Sequence, residues 1–122
     1  MRRGFGVAAA LLVALCGCSS SVDRQRATTC RRAVPALAPP DAAVTILRVA
    51  QGPTADSVRV DYGVGTRDGR QRWLVCSFGS GAVLTGIATE RGPLGEAQLY
   101  LLQHYYLDTP EALEADPLKP ER

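Results

Sequence analysis

The sequence predicts an α+β domain in which a four-stranded antiparallel meander carries an N-terminal helix and a C-terminal helix on one face. Strand-like segments, alternating in polarity or rich in β-branched residues, follow one another through the middle of the chain with short turns between them. Segments with the apolar spacing of amphipathic helices precede and follow them. No internal repeat is visible, so we expect a single domain at 27–116 and a C-terminal tail at 117–122.

An amphipathic helix is predicted at the start of this domain. Four apolar residues recur at spacings of three, four and three, which place them on one helix face: Ala27, Cys30, Val34 and Leu37. Pro35 is expected to end the helix near Ala33, because proline lacks a backbone N–H and its ring crowds the preceding turn. Cys30 lies on the apolar stripe and is therefore expected to face the sheet.

Four β-strands are expected next, at Val44–Val49, Ser57–Val64, Arg72–Phe78 and Val83–Thr89. Turn-forming residues separate them, among them residues 51–56 and the Asp68-Gly69 pair, in which the glycine accepts a positive φ. Gly86 interrupts the last strand and weakens it. These short connections predict strands that pair in chain order as antiparallel neighbours.

The alternation of side chains assigns the two faces of the predicted sheet. One face receives the apolar residues of the second and third strands: Val58, Val60, Tyr62, Leu74, Cys76 and Phe78. The opposite face receives Trp73, Arg59 and, on the first strand, Arg48. Because the first face is the apolar one, we expect the helices to cover it and the second face to stay open.

Two helices are predicted after the strands. Gly92-Pro93 is expected to open the longer helix, with proline at its first position. A broad apolar arc on that helix comprises six residues: Leu94, Leu99, Leu101, Leu102, Tyr105 and Tyr106. Thr109-Pro110-Glu111 caps and starts a short second helix that extends to about Ala115. The apolar arc predicts that the longer helix covers the sheet.

The N-terminus has the parts of an export signal: basic Arg2 and Arg3, an apolar run at 5–15, and small residues at a cleavage point after it. This run is shorter than the roughly twenty residues of a membrane-spanning helix. The sequence Leu15-Cys16-Gly17-Cys18 resembles the lipobox of bacterial lipoproteins. That resemblance implies removal of residues 1–17, attachment of diacylglycerol to Cys18, and acylation of the new amino terminus by a fatty acid such as palmitate.

The lipobox resemblance also implies a location. A lipidated Cys18 would tether the protein to a membrane of the cell envelope, facing the periplasm, with residues 18–26 as the lipidated N-terminus and tether. Lipoproteins with Asp directly after the lipidated cysteine tend to stay in the inner membrane. Ser19 occupies that position here, so the outer membrane is favoured over the inner membrane.

Two cysteines remain once the leader is removed and Cys18 carries lipid. These are Cys30 and Cys76, and thiols in an oxidising compartment usually pair. We expect a structural disulfide between them that pins the first helix to the third strand. A redox-active pair is the alternative, but it favours closely spaced thiols with one at a helix start, and neither condition is visible.

Signatures of catalysis and of ligand binding are scarce. His104 is the only histidine, and together with Asp108 it would supply two metal ligands, too few for a site. The glycines at 63–69 have the wrong spacing for a dinucleotide loop. Two of the fourteen basic residues lie in the leader, which leaves twelve against twelve acidic residues and no global charge for nucleic acid. We expect no enzymatic activity, cofactor, metal or nucleic-acid partner.

Two clusters are candidates for a partner-binding surface. Trp73 and Arg59 share the open sheet face, where the alternative is a cation–π contact that only shields the sheet. Tyr100, His104 and Leu107 lie on the longer C-terminal helix, away from its apolar arc. They form an exposed patch unless the short second helix folds back and covers them. The sequence therefore predicts a non-enzymatic interaction module with an envelope protein partner. A small-ligand-binding periplasmic lipoprotein, with the sheet and helix as walls, is the alternative.

Overall fold

The structure is a computed structural model that describes residues 22–65 and 71–118. Its helices are α1 (Arg24–Leu37), α2 (Glu96–Leu102) and α3 (Pro110–Glu114), with a π-helical segment (Gln103–Leu107) directly after α2. Its strands are β1 (Val44–Gln51), β2 (Ser57–Val64), β3 (Gln71–Phe78), β4 (Leu84–Thr89) and β5 (Gly92–Pro93). The predicted α+β architecture is confirmed. Several predictions lie outside the described residues: the predicted signal peptide, the lipidation of Cys18, the predicted turn at Asp68-Gly69 and the end of the predicted tail at 119–122.

The sheet is an antiparallel meander whose strands are paired in the order β1-β2-β3-β4-β5. β2 begins and ends where the sequence predicts, and β1, β3 and β4 differ from the prediction by one or two residues at one end. A bulge at Leu47 interrupts the pairing of β1 with β2. Beyond this bulge Arg48 lies opposite Asp61 and Val49 opposite Val60. Arg48 therefore shares the open face with Asp61.

The prediction that Gly92-Pro93 opens a helix is wrong, because these residues form β5. Gly92 adopts a φ of 117°, which lets the chain reverse after Thr89 and pair back against β4. The Leu94 N–H continues this pairing by donating to the Ile87 carbonyl at 2.8 Å. Helix α2 starts only at Glu96. Proline fits the edge of a sheet as well as the first turn of a helix, and the pairing with β4 decides between them.

Helix α1 is longer than predicted at both ends. The Asp23 carboxylate accepts the Arg26 N–H at 3.0 Å, so the helix starts at Arg24, inside the segment that was expected to be tether. The helix also continues through Pro35 to Leu37. Pro35 lies in the last turn, where it removes a single backbone hydrogen bond, and Val34 and Leu37 still pack against the core.

The core lies between the sheet and the helices. The six apolar residues assigned to the covered face of β2 and β3 are all buried, as predicted: Val58, Val60, Tyr62, Leu74, Cys76 and Phe78. Cys30, Ala33 and Val34 of α1 pack against them and are fully buried. Cys30 and Cys76 form a disulfide with a Cα–Cα separation of 5.8 Å, which joins α1 to β3.

The apolar arc predicted for the C-terminal helix is partly wrong. Leu101 and Tyr105 are 54% and 69% exposed, whereas Leu107, which was expected on the outer side, packs against the core. The inner face is instead the set Leu99, Leu102, Gln103, Tyr106 and Leu107. Gln103 fixes this rotation because its Nε2 donates to the Leu84 carbonyl at 2.9 Å, which anchors the helix to the start of β4. The helix carries apolar residues of its own on every side, so its sequence does not specify which side is buried.

No helix within the described residues is both long enough and apolar enough to cross a membrane.

Candidate interaction surfaces and clefts

The open face of the sheet carries a closed contact among Arg59, Asp61 and Trp73. The Arg59 guanidinium carbon lies 4.9 Å from the centre of the Trp73 ring, and its Nε and Nη2 donate to Asp61 Oδ1 at 3.1 and 3.0 Å. Trp73 is only partly exposed. The structure thus brings Trp73 and Arg59 together in the shielding cation–π contact that the sequence left open as an alternative.

The outer side of the C-terminal helices carries a second group, which we call the aromatic surface and define as Tyr100, Leu101, His104 and Tyr105. Tyr100 is 55% exposed, Leu101 54% and Tyr105 69%, and the His104 side chain is 50% exposed. The Tyr100 and His104 rings stack with centroids 4.3 Å apart. The aromatic surface is therefore solvent-exposed and partly ordered by its own ring contact.

Helix α3 does not fold back over the aromatic surface. It packs inward through Ala112, which is 2% exposed, while Leu113 is itself 51% exposed. Two of the three residues predicted for this cluster, Tyr100 and His104, are in ring contact, whereas Leu107 is partly buried against the core and lines the neighbouring cleft. Sequence reasoning missed Leu101 and Tyr105 because it placed both in the buried arc.

The C-terminal segment that carries the aromatic surface is acidic. Residues 92–118 contain no Lys or Arg, and they contain five acidic residues: Glu96, Asp108, Glu111, Glu114 and Asp116. Asp116 is neutralised by ion pairs to Arg31 and Arg32 of α1. The His104 Nδ1 lies 3.7 Å from Asp108 Oδ2 at the edge of the surface. A ligand on the aromatic surface therefore meets apolar rings flanked by carboxylates.

A cleft of about 290 Å³ lies beside the aromatic surface, between α1, the β3–β4 turn and the π-helical segment. Arg26 holds its turn in place, because the guanidinium donates to the carbonyls of Gly79 and Gly81 at 3.0 and 2.6 Å. His104 and Asp108 line the rim of this cleft. The aromatic surface thus borders a concave region whose wall is tied to α1.

A second cleft, of about 360 Å³, lies at the end of the sheet where the β4–β5 turn meets the end of α1 and the start of α2. Its polar lining includes Tyr62, Arg72, Glu90 and Arg91. This volume is within the range of small-molecule sites, which begins at roughly 300 Å³. None of these four residues was predicted to belong to a binding site. The signal that was available is the alternation of β3, which puts Arg72 on the same face as Leu74.

Within residues 22–65 and 71–118, no cluster of three or more His, Cys, Asp or Glu side chains is placed to hold a metal ion. Comparison with known proteins returned no matching protein-family model, no matching curated protein and no matching solved structure.

Proposed function

We propose that this protein is a lipid-anchored protein of the bacterial cell envelope and acts as a non-enzymatic interaction module. Its aromatic surface binds a basic segment of an envelope protein partner. The observation that carries the proposal is the exposure of Tyr100, Leu101 and Tyr105 on one side of the C-terminal helices. Tyrosine is enriched among the residues that dominate binding energy at protein interfaces.

The chemistry of the partner follows from the charges around the aromatic surface. Glu96 and Asp108 flank the rings, and residues 92–118 supply no basic side chain that would offset them. Complementary charge steers the encounter and excludes wrong partners, so lysine- or arginine-bearing protein segments are favoured. The same carboxylates oppose docking onto an anionic lipid surface. A basic segment with apolar side chains satisfies both the rings and the carboxylates.

The lipid anchor of the proposal keeps the domain close to its membrane. Cys18 is six residues before Arg24, where α1 starts. A fully extended chain of that length reaches about 20 Å. Partners of this domain are therefore other proteins at, or attached to, the same membrane.

Replacing Cys18 with Ala is expected to abolish lipidation. The variant should lose its partition into the detergent phase and remain as an unprocessed or aqueous form, because no thiol is left at the lipobox position to accept diacylglycerol. Cys16→Ala is the matched control and should partition like the wild type. If Cys18→Ala still partitions into detergent while Cys16→Ala does not, the lipidated residue is Cys16.

Tyr105→Ala is expected to weaken partner binding with little effect on folding, because the side chain is 69% exposed. A photo-crosslinking amino acid at Leu101 reports binding in intact cells. Loss of an interface hot spot costs about 2 kcal/mol or more, so the crosslinked yield should fall strongly. Tyr100→Ala should act similarly, and the thermal midpoint of both variants should stay close to that of the wild type.

Controls for this experiment lie elsewhere on the chain. Leu47→Ala removes an apolar side chain of similar exposure, 52%, from the β1 bulge and should leave crosslinking unchanged. Trp73→Ala should lower the thermal midpoint, because Trp73 packs under Arg59, and should have little effect on the crosslinked yield of the folded protein. The proposal is wrong if Tyr105→Ala and Tyr100→Ala both retain the crosslink. It is also wrong if the crosslinked peptide of the partner is acidic.

A further inference from the structure

Arg72 is a charged residue on the apolar side of the sheet. Alternation along β3 puts it on the same face as Leu74 and Cys76, and its side chain is only 19% exposed. Tyr62 lies directly opposite Arg72 on β2 and is 2% exposed. A guanidinium and a phenol thus form the floor of the cleft of about 360 Å³ at the end of the sheet. Placing a guanidinium there carries a desolvation cost, so a partner for it is favoured.

Within the described residues the Tyr62 hydroxyl and the Glu90 carboxylate interact with Arg72, and the pairing with Glu90 is loose. Glu90 Oε2 lies 4.0 Å from the Arg72 Nε, which is an ion pair but too long for a hydrogen bond. The other carboxylate oxygen, Oε1, accepts the Trp73 N–H at 3.4 Å, so Glu90 is also drawn toward the backbone of β3. The guanidinium group carries five N–H donors in a planar arrangement that can bind both oxygens of a carboxylate. Donors of Arg72 therefore remain for a ligand.

The rest of the cleft combines positive charge with apolar walls. Arg91 also lines it, which gives two guanidinium groups against the one carboxylate of Glu90. The Tyr62 hydroxyl is protonated at neutral pH, as tyrosine ordinarily is, and burial raises its pKa further, so this group can donate to an anion. Leu37 and Leu94 provide apolar walls. The cleft therefore suits an anion that carries an apolar chain.

The geometry points to a binding site for a small carboxylic acid, whose carboxylate pairs with Arg72 and Arg91 and whose short apolar chain lies against Leu37 and Leu94. A doubly charged phosphate is a poorer match, because Glu90 opposes the second charge and the apolar walls gain nothing. The site lies at the end of the sheet formed by the β4–β5 turn. It is independent of the aromatic surface and of the partner proposed for it.

The test is a titration of the isotope-labelled mature protein in detergent micelles, followed by NMR. Pentanoate is expected to shift the Arg72 Nε–H signal and the backbone amide signals of residues 89–92 and 94, with a dissociation constant on the order of 1 mM, as suits a ligand of this size. Inorganic phosphate tests the oxyanion without an apolar chain, and butylammonium tests the chain without the anion. Both should bind at least several-fold more weakly than pentanoate.

Arg72→Gln should abolish the pentanoate shifts, whereas Arg59→Gln, the same change on the open face, should leave them intact. If Arg72→Gln fails to fold, Arg91→Gln on the exposed turn replaces it and should weaken pentanoate binding several-fold. The inference is overturned if pentanoate leaves residues 89–94 unshifted, or if Arg72→Gln and Arg91→Gln bind it as the wild type does. Equal affinity for phosphate or butylammonium likewise contradicts a carboxylic-acid site.

Discussion

Removing the disulfide with the double variant Cys30→Ala, Cys76→Ala is expected to lower the free energy of unfolding by about 4 kcal/mol. The bond closes a chain segment with a sequence separation of 46 residues, and opening it restores the loop entropy of the unfolded chain. Domains of this size have a total stability of about 5–15 kcal/mol. The loss should therefore be visible as a large drop in the urea midpoint at neutral pH.

The control for this prediction is the wild-type protein with its disulfide chemically reduced. Both cysteines are fully buried, so the reductant is added to the wild type during unfolding, where the bond becomes accessible. Reduced wild type and double variant should then have similar unfolding free energies, because both lack the same covalent link. A change of less than about 1 kcal/mol in both would show that the bond contributes little to stability and would contradict its role as the main tie between α1 and β3.

The strands were predictable because their pattern is locally unambiguous. Val58, Val60 and Tyr62 alternate with Arg59 and Asp61, and a strand that is buried on one face requires this alternation. The bounds of β2 therefore agree with the structure. The facing of Cys76 follows from the same period, which is why the position of the disulfide could also be inferred.

The helix ends were less predictable because their local signals have two meanings. Pro35 is a helix breaker in the interior of a helix, yet in the last turn of α1 the packing of Val34 and Leu37 outweighs one lost hydrogen bond. Gly92-Pro93 could begin a helix or form an edge strand, and only the partner residues of β4 distinguish the two. Tertiary contacts decided both cases.

The candidate surfaces show the same limit. Tyr100 and His104 were correctly paired, since residues four apart share a helix face. Leu107 was misplaced because apolar residues occur on every side of that helix, and its rotation is set by the polar residue Gln103 through the hydrogen bond to the Leu84 carbonyl. The cleft around Arg72 was missed because its lining comes from segments far apart in sequence. Sequence periodicity assigns faces within one element, but it does not assemble clefts between elements.

Asp116→Ala is expected to cost about 3 kcal/mol of stability at neutral pH, the lower end of the range for breaking a buried ion pair. The Asp116 carboxylate accepts from Arg31 Nε and Nη2, both at 2.7 Å, from Arg32 Nε at 2.9 Å and from the Leu118 N–H at 3.0 Å. Its side chain is 3% exposed. Removing it leaves two partly buried guanidinium groups without this carboxylate and detaches the end of the domain from α1.

The same carboxylate makes stability depend on pH in a defined direction. Burial by itself raises the pKa of Asp116, but the hydrogen bonds from Arg31, Arg32 and Leu118 outweigh it and hold the pKa well below the ordinary value of 3.8. A depressed pKa in the folded state means that the stabilisation is fully present above the unfolded pKa and is lost as the pH falls below it. The wild type should therefore lose stability as the pH falls below about 4.

Asp116→Asn removes the negative charge of the Asp116 side chain and keeps its shape. The amide keeps one acceptor oxygen, so we expect a loss of stability at pH 7 that shrinks as the pH falls below about 4, because there the Asp116 carboxylate of the unfolded wild type starts to be protonated while that of the folded state stays ionised. Asp108→Asn makes the same chemical change on a side chain that is 69% exposed and should alter stability by less than about 0.5 kcal/mol. Urea unfolding between neutral and acidic pH measures both. A difference between wild type and Asp116→Asn that is independent of pH would show that the arginines do not act on the ionised carboxylate.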